Sequence, residues 1–542
     1  MDGMDMSMNV SLATLPPNID LPYAAYFCAA AIGAIFIFAI RRRLISLPRK
    51  YGSLSKTSET SKTSSTESFA SFLNIERYLT NKLTYTPYIG PLFLPTVGTI
   101  LLGLIFTAIL VTVLLLNANL PVNPDRAGFL GLATISFNIA LANKNSVITV
   151  LTGISHEKLN QLHRWLGTTT FVLATIHMSF WISQWTPYTW FLEAQLSSDK
   201  VVYGLATYTT LGLIFLTSLY PIRRYFYRFF VLSHVVLFPL FLILVAIHTP
   251  YAMRFITTGI LLFTLDQLTG WAIKTHVARV RVEILPDRCV RITLACDLAA
   301  VPRRAGQHVY LCIPAISLYQ WHPFTISSVF TGSVLTLHAQ AVGPFTRKLN
   351  EMNEGAQLLA LVAGPYGEPP QVERYDAMLM IAGGSGITFT MPMLQDMLRK
   401  MDTKVVRRVD FVWCVSGMGQ LSWFHKELER ALLETFDTNV MLKIRIFSRE
   451  DQVGGTFTID ESFLFTTSPK QFECDSRFQL TMERARAENL VRDFVKTNAD
   501  VEEMCVVVCG PHSLVADVCN SVAKRSSLSK PKIDLYYENY SL

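Results

Sequence analysis

HRWLGTTTFVLATIH (163–177) and HVVLFPLFLILVAIH (234–248) are the two stretches on which the architecture turns. Both are apolar enough to lie in a membrane, and histidines fourteen residues apart bracket each one. Along a helix, fourteen residues turn through about 1400°, some 40° short of four turns. The two imidazoles of a stretch therefore share a face, about 21 Å apart along the axis. A bilayer core is about 30 Å thick, so each pair covers much of its depth. With 11 histidines in 542 residues, chance gives on the order of 0.2 pairs at this spacing. One further apolar run, 203–220, separates the stretches, so they run parallel. His163 is expected opposite His234, and His177 opposite His248. Two facing pairs of neutral imidazoles at two depths suit two haems, each ligated from both sides. Zinc or copper would find only two ligands per pair. Centres with both axial positions filled carry electrons. The plain alternative is four unrelated histidines bonded to neighbouring helices.

Working outward, apolar runs lie near 24–40, 92–116, 128–150, 162–184, 203–220, 230–248 and 254–273, which predicts about seven spans. The third is interrupted by Asn143, Lys144 and Asn145. The tail before the first run has Asp2, Asp5 and Asp20 but no Lys or Arg, unlike a signal peptide. Arg41, Arg42 and Arg43 follow it, and the loop 41–91 holds nine Lys and Arg against three Glu. The positive-inside rule then places residues 1–23 outside, that loop in the cytosol, and everything after 273 in the cytosol. Within the loop, GSLSKTSETSKTSSTES (52–68) has little to bury, so 44–88 is expected to be a Ser/Thr-rich linker. In the outer tail, Met1, Met4, Met6 and Met8 are soft ligands of the kind Cu(I) prefers.

Half of the residues are apolar or aromatic and 16% are charged, against about 25% in ordinary soluble domains. The deficit lies in the first half, and the net charge of +7 is too diffuse to suggest nucleic acid. Eight of the nine cysteines lie after residue 273 without a CxxC pair, which fits a reducing compartment. There the pattern changes. VARVRVEIL (277–285) and CVRITLAC (289–296) alternate like antiparallel strands. After Pro369 and Pro370 the rhythm becomes strand, Gly-rich turn, helix, the mark of a parallel nucleotide-binding sheet. AGGSGIT (382–388) follows a buried strand and opens a helix, where backbone N–H groups can meet a pyrophosphate.

WHPFTISS (321–328), GPYG (364–367), GGSGIT and CGP (509–511), in that order after two paired-histidine helices, resemble the ferric reductase/NADPH oxidase superfamily. LTGIS (151–155) and HRWLG (163–167) point to its fungal ferric-chelate reductases. The resemblance implies a bis-haem helical membrane domain (24–273) fused to a ferredoxin-reductase-like module. That module comprises an antiparallel β-barrel for FAD (274–372) and an α/β domain for NADPH (373–542). It implies that His322, Pro323, Phe324, Thr325, Ser327 and Ser328 cradle FAD, with Thr325 near its reactive nitrogen. Thr346 and Arg347 would face the flavin phosphates, and Gly364 and Gly367 would shape the same pocket. Gly383, Gly384, Ser385, Gly386, Ile387 and Thr388 would hold the NADPH pyrophosphate. Cys509, Gly510 and Pro511 would border the nicotinamide, with Cys509 and Thr325 nearest the chemistry, and Tyr540 would stack near the flavin. Ser448 and Arg449 follow the strand LKIRIF, where a hydroxyl and a guanidinium suit the 2′-phosphate of NADPH.

The function so implied is a multi-pass metalloreductase, expected in the plasma membrane or an internal one. Electrons from NADPH would pass through FAD and two b haems to external ferric chelates, or to cupric ion. A metal permease would take up the product. The alternatives are an oxidase making superoxide from oxygen and a non-catalytic membrane scaffold.

Overall fold

The computed structural model describes residues 19–55, 64–89, 92–295, 304–329, 334–370, 375–400, 406–436, 438–448 and 477–539. The chain forms two compact units, residues 1–57 with 102–273, and residues 58–101 with 274–542. The Met-rich tail, Arg449 and Tyr540 lie outside the described residues.

The helices ahead of the barrel are α1 (Leu21–Ser55), α2 (Ser64–Leu83), α3 (Val97–Leu115), α4 (Asp125–Ala142), α5 (Val147–Thr152), α6 (His156–Trp185), α7 (Thr189–Leu196), α8 (Asp199–Thr217), α9 (Tyr220–Tyr225), α10 (Tyr227–His248) and α11 (Ala252–Thr269). Among the described residues five stretches are long and apolar enough to cross a membrane: Leu21–Leu44, Val97–Leu115, Asp199–Thr217, Tyr227–His248 and Ala252–Lys274. The chain is a multi-pass membrane protein. Helices α4 and α6, of 18 and 30 residues, have different surfaces. Helix α4 is buried along most of its length against α1, α6 and α11, so its composition answers to neighbours rather than to lipid. Helix α6 carries His163, Arg164 and His177. The run read as a span over 128–150 ends earlier, because Asn143 turns extended at ψ 135° and closes α4. The polar turn that follows is bonded inward, with Asn143 Nδ2 donating to the Leu262 carbonyl and the Asn145 N–H to Asp266.

The expected linker over 44–88 is corrected too. Helix α1 runs on to Ser55, and after residues 56–63, which lie outside the described set, α2 occupies Ser64–Leu83. A short hairpin follows, β1 (Tyr88–Ile89) with β2 (Leu92–Phe93). Composition hid the helix because the groups that hold it are far away in sequence. Arg77 pairs with Asp534 at 2.5 Å and Glu503 at 3.3 Å, and Asn81 donates to Ser526 Oγ and to the Ile533 carbonyl.

The first half of the second unit is an antiparallel six-stranded sheet. It comprises β3 (Thr275–Leu285), β4 (Cys289–Ala295), β5 (His308–Cys312), β6 (His322–Thr325), β7 (Val334–Gln340), then helix α12 (Pro344–Asn350), and β8 (Gln357–Tyr366). The strand order is β6-β5-β8-β3-β4-β7, and an Ile326–Leu337 bridge brings the two edges together into a near-closed barrel. Alternation puts Val280, Val282, Ile292, Leu294, Leu337 and Val362 inside.

The second half is a six-stranded parallel sheet. Its elements are β9 (Ala377–Gly383), α13 (Ile387–Arg399), β10 (Arg408–Val415), α14 (His425–Glu434), β11 (Met441–Ser448), β12 (Phe478–Thr481), α15 (Ala487–Thr497), β13 (Glu503–Gly510), α16 (His512–Arg525) and β14 (Lys532–Asn539). The order β12-β11-β10-β9-β13-β14 reverses direction beside β9. Ligands of such sheets bind outside the carboxyl ends of the strands at that reversal.

Candidate functional site: paired histidines and a two-lobed nucleotide cleft

In the membrane unit, the helical phase brings together the histidines that the spacing paired. His163 of α6 and His234 of α10 face each other with ring centres 6.3 Å apart and planes at 67°. Two imidazole nitrogens on opposite sides of one metal, each about 2 Å from it, put the ring centres about 6 Å apart. His248 of α10 lies within electrostatic reach of His177 of α6. Backbone carbonyls orient the rings: His163 Nδ1 to Asn138 at 2.9 Å, His177 Nδ1 to Pro124 at 3.0 Å and His248 Nδ1 to Lys200 at 2.8 Å. A proton held on Nδ1 leaves Nε2 with a free lone pair, the arrangement usual for metal-binding histidines. Close packing on Gly128 and Gly204 makes room for the outer pair. A Cβ on Gly128 would come 3.0 Å from His177 Nδ1, and one on Gly204 2.8 Å from His248 Cε1. These residues fit two haems.

The flavin candidates gather at one end of the barrel. His322, Pro323, Phe324 and Thr325 form β6, paired to β5 with Thr325 opposite His308. Phe345 of α12 stands 4.2 Å from the His322 ring and 6.5 Å from that of Phe324, which brings Thr346 and Arg347 beside the motif. The His308 ring stacks on Tyr366, between Gly364 and Gly367. Burial pushes His322 below the ordinary histidine range, which favours the neutral ring. Thr325 is buried. Ser328 Oγ accepts from the Thr336 N–H and helps hold the motif against β7.

Behind Ser327 runs a partly buried network that the sequence did not reveal. Arg291 Nε donates to His338 Nε2 at 3.3 Å, so the imidazole proton sits on Nδ1 and is donated to Ser327 Oγ at 2.7 Å. Ser327 Oγ then donates to the Thr336 carbonyl at 2.9 Å. Burial, with the Arg291 charge added, drives His338 down to about 3, which keeps it neutral. Arg291 also holds Glu283 at 3.0 Å and donates to the Trp423 carbonyl at 3.2 Å, and the Phe424 ring lies 4.5 Å from His338. Trp423 and Phe424 precede α14, so the network ties the flavin motif to the second lobe. Its members sit on five separate segments, and no local motif marks them.

At the sheet reversal the two nucleotide turns touch. Gly383 ends β9, and Gly384, Ser385 and Gly386 form a single turn leading into Ile387 and Thr388. A Cβ on Gly386 would stand 2.2 Å from the Cys509 carbonyl oxygen, so only glycine allows this approach. Trp413 Nε1 donates to the Gly384 carbonyl at 3.0 Å, and Thr388 Oγ to that of Ser385 at 2.9 Å. Cys509 is fully buried, and Gly510 and Pro511 lead into α16. Ser448 ends β11, two strands from the turn, buried with a hydroxyl that has no partner among the described residues. Tyr536 joins the lobes: its hydroxyl, which donates to Glu538 at 2.8 Å, also lies 3.2 Å from the Glu368 carbonyl just past the GPYG turn, and its ring stacks on Phe389.

Three family models match in this order: "Ferric reductase like transmembrane component" over residues 127–245, "FAD-binding domain" over 274–370 and "Ferric reductase NAD binding domain" over 375–523. The first includes His163, His177 and His234 and stops three residues short of His248. The chain is 32% identical over 338 residues to the Aspergillus oryzae protein named "Probable cell surface ferric reductase kap2", covering 56% of this chain and 44% of that one. It is 24% identical over 477 residues to "Ferric/cupric reductase transmembrane component 2" of Schizosaccharomyces pombe, covering 76% and 80%. With "Ferric reductase transmembrane component 3" of Saccharomyces cerevisiae it shares 24% over 444 residues, 77% and 61%. The chain thus spans less than half of the Aspergillus relative and most of the S. pombe one. The chain is thus similar, domain by domain and in this order, to proteins named as ferric reductases in three fungi.

Proposed function

We propose that this chain is a transmembrane metalloreductase that uses cytosolic NADPH to reduce ferric chelates, or cupric ion, on the far side of the membrane. The 6.3 Å separation of the His163 and His234 rings carries the reading, because it matches two ligands of one metal. His163 with His234 and His177 with His248 would hold two haems, with α4 and α6 completing a seven-span bundle. His322, Phe324, Thr325, Thr346 and Arg347 would hold FAD. The turns at Gly383–Thr388 and Cys509–Pro511, with Ser448, would hold NADPH. When bound, these groups split a hydride into single electrons and conduct them through lipid.

The chain's own residues supply position and exclusion of water. Asn138, Pro124 and Lys200 aim the imidazoles through their carbonyls. The Gly386–Cys509 contact fixes the nicotinamide end, while the neutral His338 holds Ser327, and with it the flavin motif, in register with Trp423. The name of the Aspergillus relative supports a place at the cell surface, where a metal permease would take up the reduced ion. The test is NADPH-driven Fe(III)-chelate reduction by the purified chain in lipid, with and without superoxide dismutase. Reduction that persists with dismutase supports the reading. Reduction abolished by dismutase marks an oxidase, and no reduction despite bound flavin marks a scaffold.

A further inference from the structure

Helix α2 has two unlike faces. Its polar face is bonded to the second unit through Arg77 and Asn81, while Lys82, at the edge of the other face, donates Nζ to the Ala523 carbonyl at 2.6 Å. Just beyond it, Thr86 and Asn520 exchange two hydrogen bonds, of 2.7 and 2.9 Å, and Tyr88 donates to Asp517 at 2.7 Å. The opposite face is apolar and bare. Phe72, Ile75, Leu79 and Leu83 are 52%, 46%, 51% and 37% exposed. At 100° per residue they fall within an arc of about 80°, a continuous stripe along three turns. A stripe of this kind does not stay in water without a reason.

Its surroundings say what covers it. The stripe ends at a membrane span: a Cβ on Gly98, in the first turn of α3, would lie 3.1 Å from Leu83 Cβ, and the Val97 N–H donates to the Tyr85 carbonyl at 2.8 Å. Helix α3 is one of the five stretches able to cross a membrane, and its own Leu101, Leu104 and Ile105 are bare in the same way. The loop 41–91 carries nine basic residues against three acidic ones, which draws it towards anionic lipid. An amphipathic helix joined to a span and rich in flanking positive charge lies in the headgroup–acyl boundary.

We propose that α2 is an interfacial helix that lays Phe72, Ile75, Leu79 and Leu83 on the lipid leaflet while its other face holds the nucleotide-binding lobe. The proposal rests on the functional reading only for naming the leaflet as cytosolic.

The test replaces Leu79, Phe72 or, as a solvent-facing reference, Met441 singly with the photo-crosslinker benzoylphenylalanine in the full chain. The protein is placed in nanodiscs of anionic and zwitterionic phospholipid, irradiated and analysed by mass spectrometry. Phospholipid adducts at positions 79 and 72, at least about tenfold above the level at 441, are expected for a helix seated in the interface. A covalent dimer, a link to another part of the same chain, or lipid adducts no higher than at 441 overturns the proposal. None of these readouts depends on activity, so they are independent of the reductase reading. Ile75→Glu with Leu79→Glu leaves Arg77 and Asn81 in place. Where the unsubstituted chain reduces metal, it should lower NADPH-driven metal reduction in anionic nanodiscs and leave it unchanged in detergent; a rate equal to that of the unsubstituted chain in nanodiscs overturns it.

Discussion

Helices α6 and α2 are both long, both touched by polar residues, and opposite in how they declare themselves. In α6 the informative residues, His163 and His177, lie on one face of one helix, so spacing alone carries the message. In α2 the residues that matter, Arg77 and Asn81, mean little until Asp534, Ser526 and Ile533 come round to meet them, in the case of Ser526 445 residues further along. Sites written in helical periodicity can be read locally. Sites assembled by tertiary closure cannot, and the reductase unit is mostly of the second kind.

The sharpest way to test this contrast is to remove a locally encoded ligand. His163→Ala should abolish NADPH-driven Fe(III)-chelate reduction while NADPH still bleaches the bound flavin in a stopped-flow trace. Persistent metal reduction would break the distinction between the two units. Next comes the backbone contact at the sheet reversal. Gly386→Ala drives a methyl to 2.2 Å from the Cys509 carbonyl, and a displacement of that size should cost about 10²-fold in kcat/KM for NADPH. Haem and flavin content should be unchanged.

A smaller effect is expected at His338, whose partners are spread over β4, the segment after β6 and the turn before α14. His338→Phe keeps a ring against Phe424 but removes both hydrogen bonds. Flavin bleaching by NADPH should slow by about tenfold with FAD retained, and an unchanged rate would show that the network does not set lobe geometry.

The mildest effect is a pH dependence. The folded chain holds His338 at about 3 against an ordinary 6.5, so between those values the unfolded chain binds a proton that the folded one does not. Stability from this group is complete above about pH 6.5 and falls on acidification, by up to about 1.4 kcal/mol per unit. Melting followed by flavin release at pH 7.5 and 5.5 should show the loss, and His338→Gln should flatten it. Equal slopes in the two proteins would remove His338 as the cause.

How much the sequence shows follows from the same contrast. The four histidines, the barrel-then-parallel-sheet order and the GGSGIT and CGP turns were legible, because each is carried by spacing or by a strand–turn–helix pattern. The run over 128–150 misled because its apolar residues continue past Asn143, where buried hydrogen bonds to α11 stop the helix. Tyr536, which links the GPYG turn to the last strand, carried no signal, since nothing nearby says that Glu368 will reach it.

The central claim is that His163 with His234, and His177 with His248, each grip one haem. The most direct measurement is haem per polypeptide, by the pyridine haemochrome assay on purified protein. Two b-type haems per chain are expected, one after His163→Ala or after His177→Ala, and none when both are replaced. A wild-type chain without haem, or a double variant that still carries two, would contradict the account.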